Sequence, residues 1–217
     1  MIKDIAIIGA GGFGKEVKFL IDRVNDDKKV YNFLGYFDDN ESLDNINGSK
    51  RIGSINDLEN YNKPLCIVFG IGEPNIKRNI YNIIKDNKFL SFPNIIDPLA
   101  IIGNEFVNLG IGNVICAGVI ITCNINIIDF VTLNLSCTVG HDTTIKSFSS
   151  FMPSVYISGD VVIEENVYVG TGAKIINLLN IGSSTVIGAG AVVARSIPSN
   201  CTAVGIPAKP IKFHNEQ

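Results

Sequence analysis

What most limits the fold of this chain is a six-residue period that runs through its second half without a slip. Leu109, Ile115, Ile121, Ile127, Leu133, Val139, Ile145, Phe151, Ile157, Ile163, Val169, Ile175, Ile181, Ile187 and Val193 stand six apart, and every one is apolar. In a chain that is 46% hydrophobic, such an unbroken run has chance odds on the order of 10⁻⁵ per frame. A second series lies four residues after the first: Asn113, Val119, Ile125, Val131, Cys137, Thr143, Ser149, Val155, Val161, Val167, Ala173, Leu179, Thr185, Ala191 and Ile197. Most of its members are small or β-branched. A period of six suits neither a 3.6-residue helix nor an alternating strand. It suits a solenoid in which each hexapeptide supplies one flat strand and one corner, and three hexapeptides close a triangular coil. Both series then point into the prism, stacked at the ~4.8 Å strand spacing. The run predicts five coils between about Leu109 and Pro198. Glycine directly follows the large apolar residue at Gly110, Gly140, Gly170, Gly182 and Gly188, where a tight corner is expected.

The first ninety or so residues have a different rhythm. Ile5–Ile8 reads as a strand, followed by the turn Gly9-Ala10-Gly11-Gly12-Phe13-Gly14. Lys15 to about Asn25 has helical spacing, with Val17, Leu20, Ile21 and Val24 on one face. Phe33–Phe37 and Leu65–Phe69 read as further strands, the first ending at Asp38-Asp39 and the second at Gly70-Ile71-Gly72, and a helix follows from Asn75. This order predicts a small parallel α/β unit of about three strands. Ser91–Asn104, with Pro93 and Pro98, is the expected boundary, giving a Rossmann-like domain over 1–92 and a solenoid domain over 93–217. The tail from Gly205 to Ile211 is expected to leave the last coil.

Bulk properties exclude some classes of function. A net charge of −3 lacks the basic face of a general nucleic-acid binder. No apolar run reaches the ~18 residues of a membrane span. The N-terminus lacks the charged start, long apolar centre and cleavage site of a signal peptide, so a cytoplasmic protein is expected. The five cysteines, Cys66, Cys116, Cys123, Cys137 and Cys201, show no C-x-x-C spacing and read as buried thiols in a reducing compartment. No metal site is expected, because His141 and His214 have no cysteine pairs beside them.

Two constellations can carry chemistry. Gly9-x-Gly11-x-x-Gly14 follows a strand and opens a helix, the context in which backbone N–H groups and a helix N-terminus approach a phosphate. A nucleotide or nucleotide sugar, NAD(P), and a purely structural turn all remain open from this motif, and Asp38 or Asp39 is placed to meet a ribose or base. His141 lies two positions after an inward valine, which puts it on a corner or outer face. An exposed histidine without a role is one reading. The other is a general base for a sugar amine or hydroxyl attacking a thioester, with Asp142 fixing its tautomer.

Taken together, Gly-Ala-Gly-Gly-Phe-Gly, Phe37-Asp38-Asp39, Gly140-His141-Asp142, Ile187-Gly188-Ala189-Gly190-Ala191 and Val204-Gly205-Ile206-Pro207-Ala208-Lys209 resemble the bacterial hexapeptide-repeat nucleotide-sugar acetyltransferases. These include bacillosamine, perosamine and sialic-acid acetyltransferases. The resemblance implies a left-handed parallel β-helix behind the N-terminal Rossmann-like unit, acetyl-CoA as co-substrate, no metal, and a homotrimer with active sites between adjacent β-helices. It implies His141 as general base and Asp142 as the carboxylate that tunes it. Gly11, Gly12, Phe13, Asp38, Asp39 and Gly72 would hold the nucleotide sugar. Ser150, Gly159, Thr171 and Ala189 would line the acetyl-CoA groove, although some relatives carry a second histidine where this chain has Ser150. Lys209 would approach a CoA phosphate. The reaction expected is N-acetylation of a nucleotide-linked 4-amino-deoxy sugar for surface glycan or glycoprotein synthesis. The rivals are O-acetylation of a sugar of the sialic-acid type, and a non-catalytic nucleotide-binding β-helix scaffold. A serine acetyltransferase fits less well, because the N-terminal domain of those enzymes is helical rather than α/β.

Overall fold

In the computed structural model, which describes residues 2–43 and 45–214, the chain builds a five-stranded parallel sheet and then a left-handed β-helix. The sheet holds β1 (Lys3–Ile8), β2 (Tyr31–Phe37), β3 (Arg51–Gly53), β4 (Leu65–Phe69) and β5 (Leu90–Ser91) in the order β3-β2-β1-β4-β5. Three helices connect them: α1 (Gly12–Asp27), α2 (Ile55–Glu59) and α3 (Pro74–Ile84). All of β4 and the last four residues of β1 are buried, as expected for central parallel strands covered on both faces. The sequence reading of about three strands missed β3 and β5. They have three and two residues, too short to show any period. The strand order reverses between β1 and β4, so a crevice opens beyond their C-terminal ends.

The β-helix has three faces. The first stacks Ile95–Ile96, Val114–Ile115, Thr132–Leu133, Ser150–Phe151, Tyr168–Val169 and Val186–Ile187. The second stacks Ile101–Ile102, Ile120–Ile121, Thr138–Val139, Tyr156–Ile157, Lys174–Ile175 and Val192–Val193. The third stacks Val107–Leu109, Ile125–Ile127, Thr144–Ile145, Val162–Ile163 and Asn180–Ile181. Both series of the repeat fill the prism: from Ile115 to Val193 every large apolar member is at most 3% exposed. Even the polar members Asn113, Thr143, Ser149 and Thr185 are fully buried.

Three expectations need correction. The solenoid begins at Ile95 rather than near Leu109, one coil earlier than expected. The step from Ile102 to Leu109 is seven residues instead of six, and that slip hides the first coil from the repeat. The corner glycines are not turn residues: Gly110, Gly140, Gly170, Gly182 and Gly188 are absent from the positive-φ positions. The left-handed residue is instead the third after each large apolar one, as at Gly118, Asn124, Phe130, Ser136, Asp142, Phe148, Ser154 and Asp160. Gly140 and Gly170 lie where the next coil passes too close for a side chain. A Cβ on Gly140 would sit 2.7 Å from the backbone nitrogen of Gly159. Finally, the tail does not leave the last coil. Cys201–Gly205 joins the first face parallel to Val186–Ile187, and Ala208–Phe213 folds back antiparallel upon it.

The N-terminal domain sits on the first face through α1 and α3. Residues Val17, Leu20 and Ile21 of α1 share a core with Ile95, Val114 and Cys116. Arg23 makes two hydrogen bonds to Asp97, at 2.6 and 3.0 Å. This holds the nearly fully buried carboxylate of Asp97 below the usual range, against the opposing effect of burial. On the other side, Tyr81 and Phe92 pack on Phe130, which stacks on Phe148 at 5.1 Å. Lys77 of α3 is 1% exposed and donates to the Phe130 carbonyl at 2.8 Å and the Thr132 hydroxyl at 3.2 Å. Among the described residues no carboxylate bonds it, and burial lowers its pKa from 10.5 to about 7.

Candidate active site

The glycine turn separates into two pairs with different jobs. Gly9 (φ +94°) and Gly14 are steric: a Cβ on Gly14 would run into the Gly9 carbonyl, and one on Gly9 would sit 2.7 Å from Ile71. These two let β1, α1 and the loop after β4 meet. Gly11 caps α1 and Gly12 is its first residue; both are exposed, and nothing lies within 4 Å of a Cβ at either. Among the described residues this helix N-terminus has no side-chain cap, and its partial positive charge favours an anion. Phe13 is half-buried against the α1 core.

Asp38 and Asp39 are more structural than the sequence suggests. Asp38 accepts from the N–H of Ala10 at 2.8 Å with one oxygen and of Asn40 at 2.9 Å with the other. It thus ties the loop after β2 to the glycine turn. Asp39 accepts from the N–H of Ile55 at the start of α2, at 2.9 Å. Gly72, at the end of the crevice, faces the β-helix, where Met152 would lie 3.5 Å from a Cβ.

His141 stands on the corner between the second and third faces, following Thr138–Val139. Its side chain is 57% exposed. Nδ1 bonds the Asp142 carboxylate at 2.7 Å, and the Asp160 carboxylate lies 3.9 Å from the same nitrogen. The bond from His141, and then that from the Asn124 amide at 3.1 Å, hold the Asp142 carboxyl below its usual range. A carboxylate only accepts, so in the neutral ring this contact favours the tautomer with the hydrogen on Nδ1 and the lone pair on Nε2. His141, Asp142 and Asp160 present ligand-type atoms within 4.8 Å of one another, all on exposed residues; the 2.7 Å contact already serves as a hydrogen bond. Below Asp142, Phe106, Asn108, Asn124, Asn126 and Thr144 line a cavity of about 420 Å³ on the third face. Sequence reasoning missed Asn124 and Asp160, although the repeat contains the signal: each is one 18-residue coil away from Asp142.

The residues expected to line one groove fall in three places. Gly159 lies against the His141 ring, in the coil above it. Thr171 and Ala189 share the corner between the first and second faces with Gly172 and Gly190, whose Cβ positions are open. They form an exposed strip of small residues one prism side away from His141. Ser150 is fully buried on the first face, beside Thr132, and among the described residues its hydroxyl has no partner. Lys209 is exposed on the returning C-terminal strand. Among the described residues the five cysteines are free and only Cys123 is not buried. Burial pushes the Cys116 thiol up to about 12 and the Cys137 thiol to about 11. No helix among the described residues is long and apolar enough to cross a membrane.

Comparison with known proteins places these features. Residues 4–84 match the family described as the PglD N-terminal domain. The acetyltransferase domain of PglB from Neisseria gonorrhoeae superimposes with a TM-score of 0.88 at 31% identity, over 96% of this chain and 100% of that one. PerB from Caulobacter crescentus, solved in complex with CoA and GDP-perosamine, superimposes with a TM-score of 0.84 at 27% identity, over 98% and 99% of the two chains. A serine acetyltransferase from Synechococcus elongatus is 51% identical over 49 residues, which is 23% of this chain and 20% of that protein. The chain spans no more than 38% of the length of the first curated relatives it matches.

Proposed function

This chain belongs to the hexapeptide-repeat nucleotide-sugar acetyltransferases, and from that premise we propose that it moves the acetyl group of acetyl-CoA onto the amine of a nucleotide-linked 4-amino-deoxy sugar, with His141 as the general base. The observation that carries the reading is the 2.7 Å bond from Nδ1 to Asp142, which leaves Nε2 as the proton acceptor on an exposed corner. Acetyl-CoA supplies an activated acetyl group when bound. As the sugar nitrogen bonds the acetyl carbon, Nε2 takes the proton the amine must lose, and it returns that proton to the departing sulfur. The imidazolium formed between these events is stabilised by the Asp142 carboxylate.

The substrates have separate supports. Gly11 and Gly12 offer N–H groups to the diphosphate of a nucleotide sugar, and Gly72 borders the same crevice. Asp38 and Asp39 shape it by fixing its loops. Thr171, Gly172, Ala189 and Gly190 offer a bare backbone strip that suits a pantetheine arm. Lys209 carries an exposed positive charge at the end of the β-helix, suited to a CoA phosphate. The crevice and the strip are one prism side from His141, roughly 20 Å at ~3.3 Å per residue. The homotrimer that the family resemblance implies would close this gap, with the His141 corner of one β-helix meeting the small-residue corner of the next. PerB was solved with CoA and GDP-perosamine, which supports the pairing of these two substrate classes.

The test is a thiol-release assay with acetyl-CoA over UDP-, GDP- and dTDP-linked 4-amino sugars and free sialic acid, for the parent protein and His141→Asn. Turnover of one nucleotide amino sugar is expected, falling ~10²- to 10⁴-fold in the variant with acetyl-CoA binding kept. Turnover of sialic acid alone would replace the reading with O-transfer. No turnover and no acetyl-CoA binding would leave a nucleotide-binding scaffold.

A further inference from the structure

We propose that Asn124, one coil below the histidine, is a positioning residue that holds Asp142 in the rotamer that fixes the His141 tautomer. This rests on His141 acting as the base. The argument starts from the backbone. Asn124, Asp142 and Asp160 occupy the same left-handed corner position in three successive coils, with φ of 54°, 57° and 56°. Outside glycine, that conformation is held most readily by Asn and Asp. Phe106 and Leu178 fill the same position in the coils below and above, and of the three polar residues between them only Asn124 brings a hydrogen-bond donor.

The consequences follow from the partners. Asp142 is an acceptor with two oxygens. Oδ2 receives the His141 ring, and Oδ1 receives the Asn124 amide at 3.1 Å. Both groups are exposed, so packing does not hold the carboxylate; its two hydrogen bonds do. If the lower bond is removed, the carboxylate is free to swing into the cavity lined by Phe106, Asn108 and Asn126. Asp160, whose nearest oxygen is 3.9 Å from Nδ1, is then left to compete for the ring. An aspartate at position 124 would be worse than a gap, because a third carboxylate would repel Asp142 from below. The column thus has an order: a donor beneath, the bonded carboxylate level with the ring, and a second carboxylate above.

Two variants keep the backbone at ease. Asn124→Gly retains the left-handed corner without a side chain, and Asn124→Asp retains the shape without the donor. The chain has two histidines, so ¹⁵N spectra of histidine-labelled protein read the His141 ring directly once His214 is assigned with His214→Asn. Both position-124 variants are expected to lose part of the Nδ1–H tautomer and about tenfold in kcat, with KM for acetyl-CoA and for the sugar changed less than about twofold. An unchanged tautomer would overturn the proposal, whether kcat holds or falls. A raised sugar KM with the parental tautomer would make Asn124 a substrate contact instead. A shifted tautomer in a protein whose His141→Asn variant retains full turnover would uphold the positioning role while refuting His141 as the base, so the two readings fail separately.

Discussion

Substituting Gly159 by alanine should disable the enzyme without unfolding it. Gly159 lies in the coil above His141, and a Cβ there would sit 2.8 Å from Cδ2 of the imidazole and closer still to Cε1 and Nε2. Ordinary contact begins near 3.4 Å, so something must move. The obstacle is the far end of a half-exposed side chain, and Gly159 is not among the positive-φ residues. The ring therefore slides while the coil stays. A slide of roughly 1 Å at a reacting group costs on the order of 10²-fold in rate, whereas a surface methyl costs within about 0.5 kcal/mol of stability. The control is Gly140→Ala, in which the Cβ meets the backbone of the next coil at 2.7 Å. Overpacking of that kind costs about 1–3 kcal/mol. Thermal denaturation and steady-state thiol release on both variants separate the effects. Gly159→Ala should keep its melting temperature and lose kcat; Gly140→Ala should lose several degrees. Parental kcat in Gly159→Ala, or a fall in kcat matched by a fall in melting temperature, would refute the claim that the ring position governs turnover.

Two further outcomes can be checked by denaturation and kinetics. Lys77, at about 7 when folded and 10.5 when unfolded, binds fewer protons in the folded protein between those values. Stability should therefore rise as pH enters that window, by about 1 kcal/mol from pH 7 to 8. The buried thiols, raised from 9.0, oppose the trend from about pH 8 upward, so the rise is read below that pH. In Lys77→Met this rise should vanish, and equal slopes in urea melts of the two proteins would refute the assignment. In the glycine turn, Gly14→Ala should lose about 1–3 kcal/mol because its Cβ meets the Gly9 carbonyl. Gly12→Ala should keep its stability and raise the KM for the nucleotide sugar several-fold; an unchanged KM would remove Gly12 from the phosphate site.

How much of this was legible in the sequence depends on how far each feature repeats. The β-helix core could be read residue by residue, since each coil restates the same steric demand at Ile121, Val139, Ile157 and Ile175. The coil containing Ile95 and Ile101 was hidden by a single extra residue. The strand β3 was invisible because Arg51, Ile52 and Gly53 are only half-buried and make no pattern. Buried Lys77 carries no signal in the chain at all. Its place on α3 reads as an ordinary surface lysine, and only docking of α3 onto Phe130 and Thr132 takes it out of water.

The glycines show why the site was less legible than the fold. Sequence alone does not say what surrounds Gly12, Gly14, Gly140 and Gly159, and the surroundings differ at each. Gly14 is required by the Gly9 carbonyl, Gly140 by the backbone of the next coil, and Gly159 by the ring of His141. A Cβ on Gly12 would meet nothing within 4 Å, so packing does not explain that glycine. The same holds for carboxylates: Asp38 spends its oxygens on Ala10 and Asn40, while Asp142 spends one on the histidine. A motif names residue types that permit chemistry. Which of them perform it is decided by what else each atom already touches, and on this corner that information lies 18 residues away in either direction, at Asn124 and Asp160.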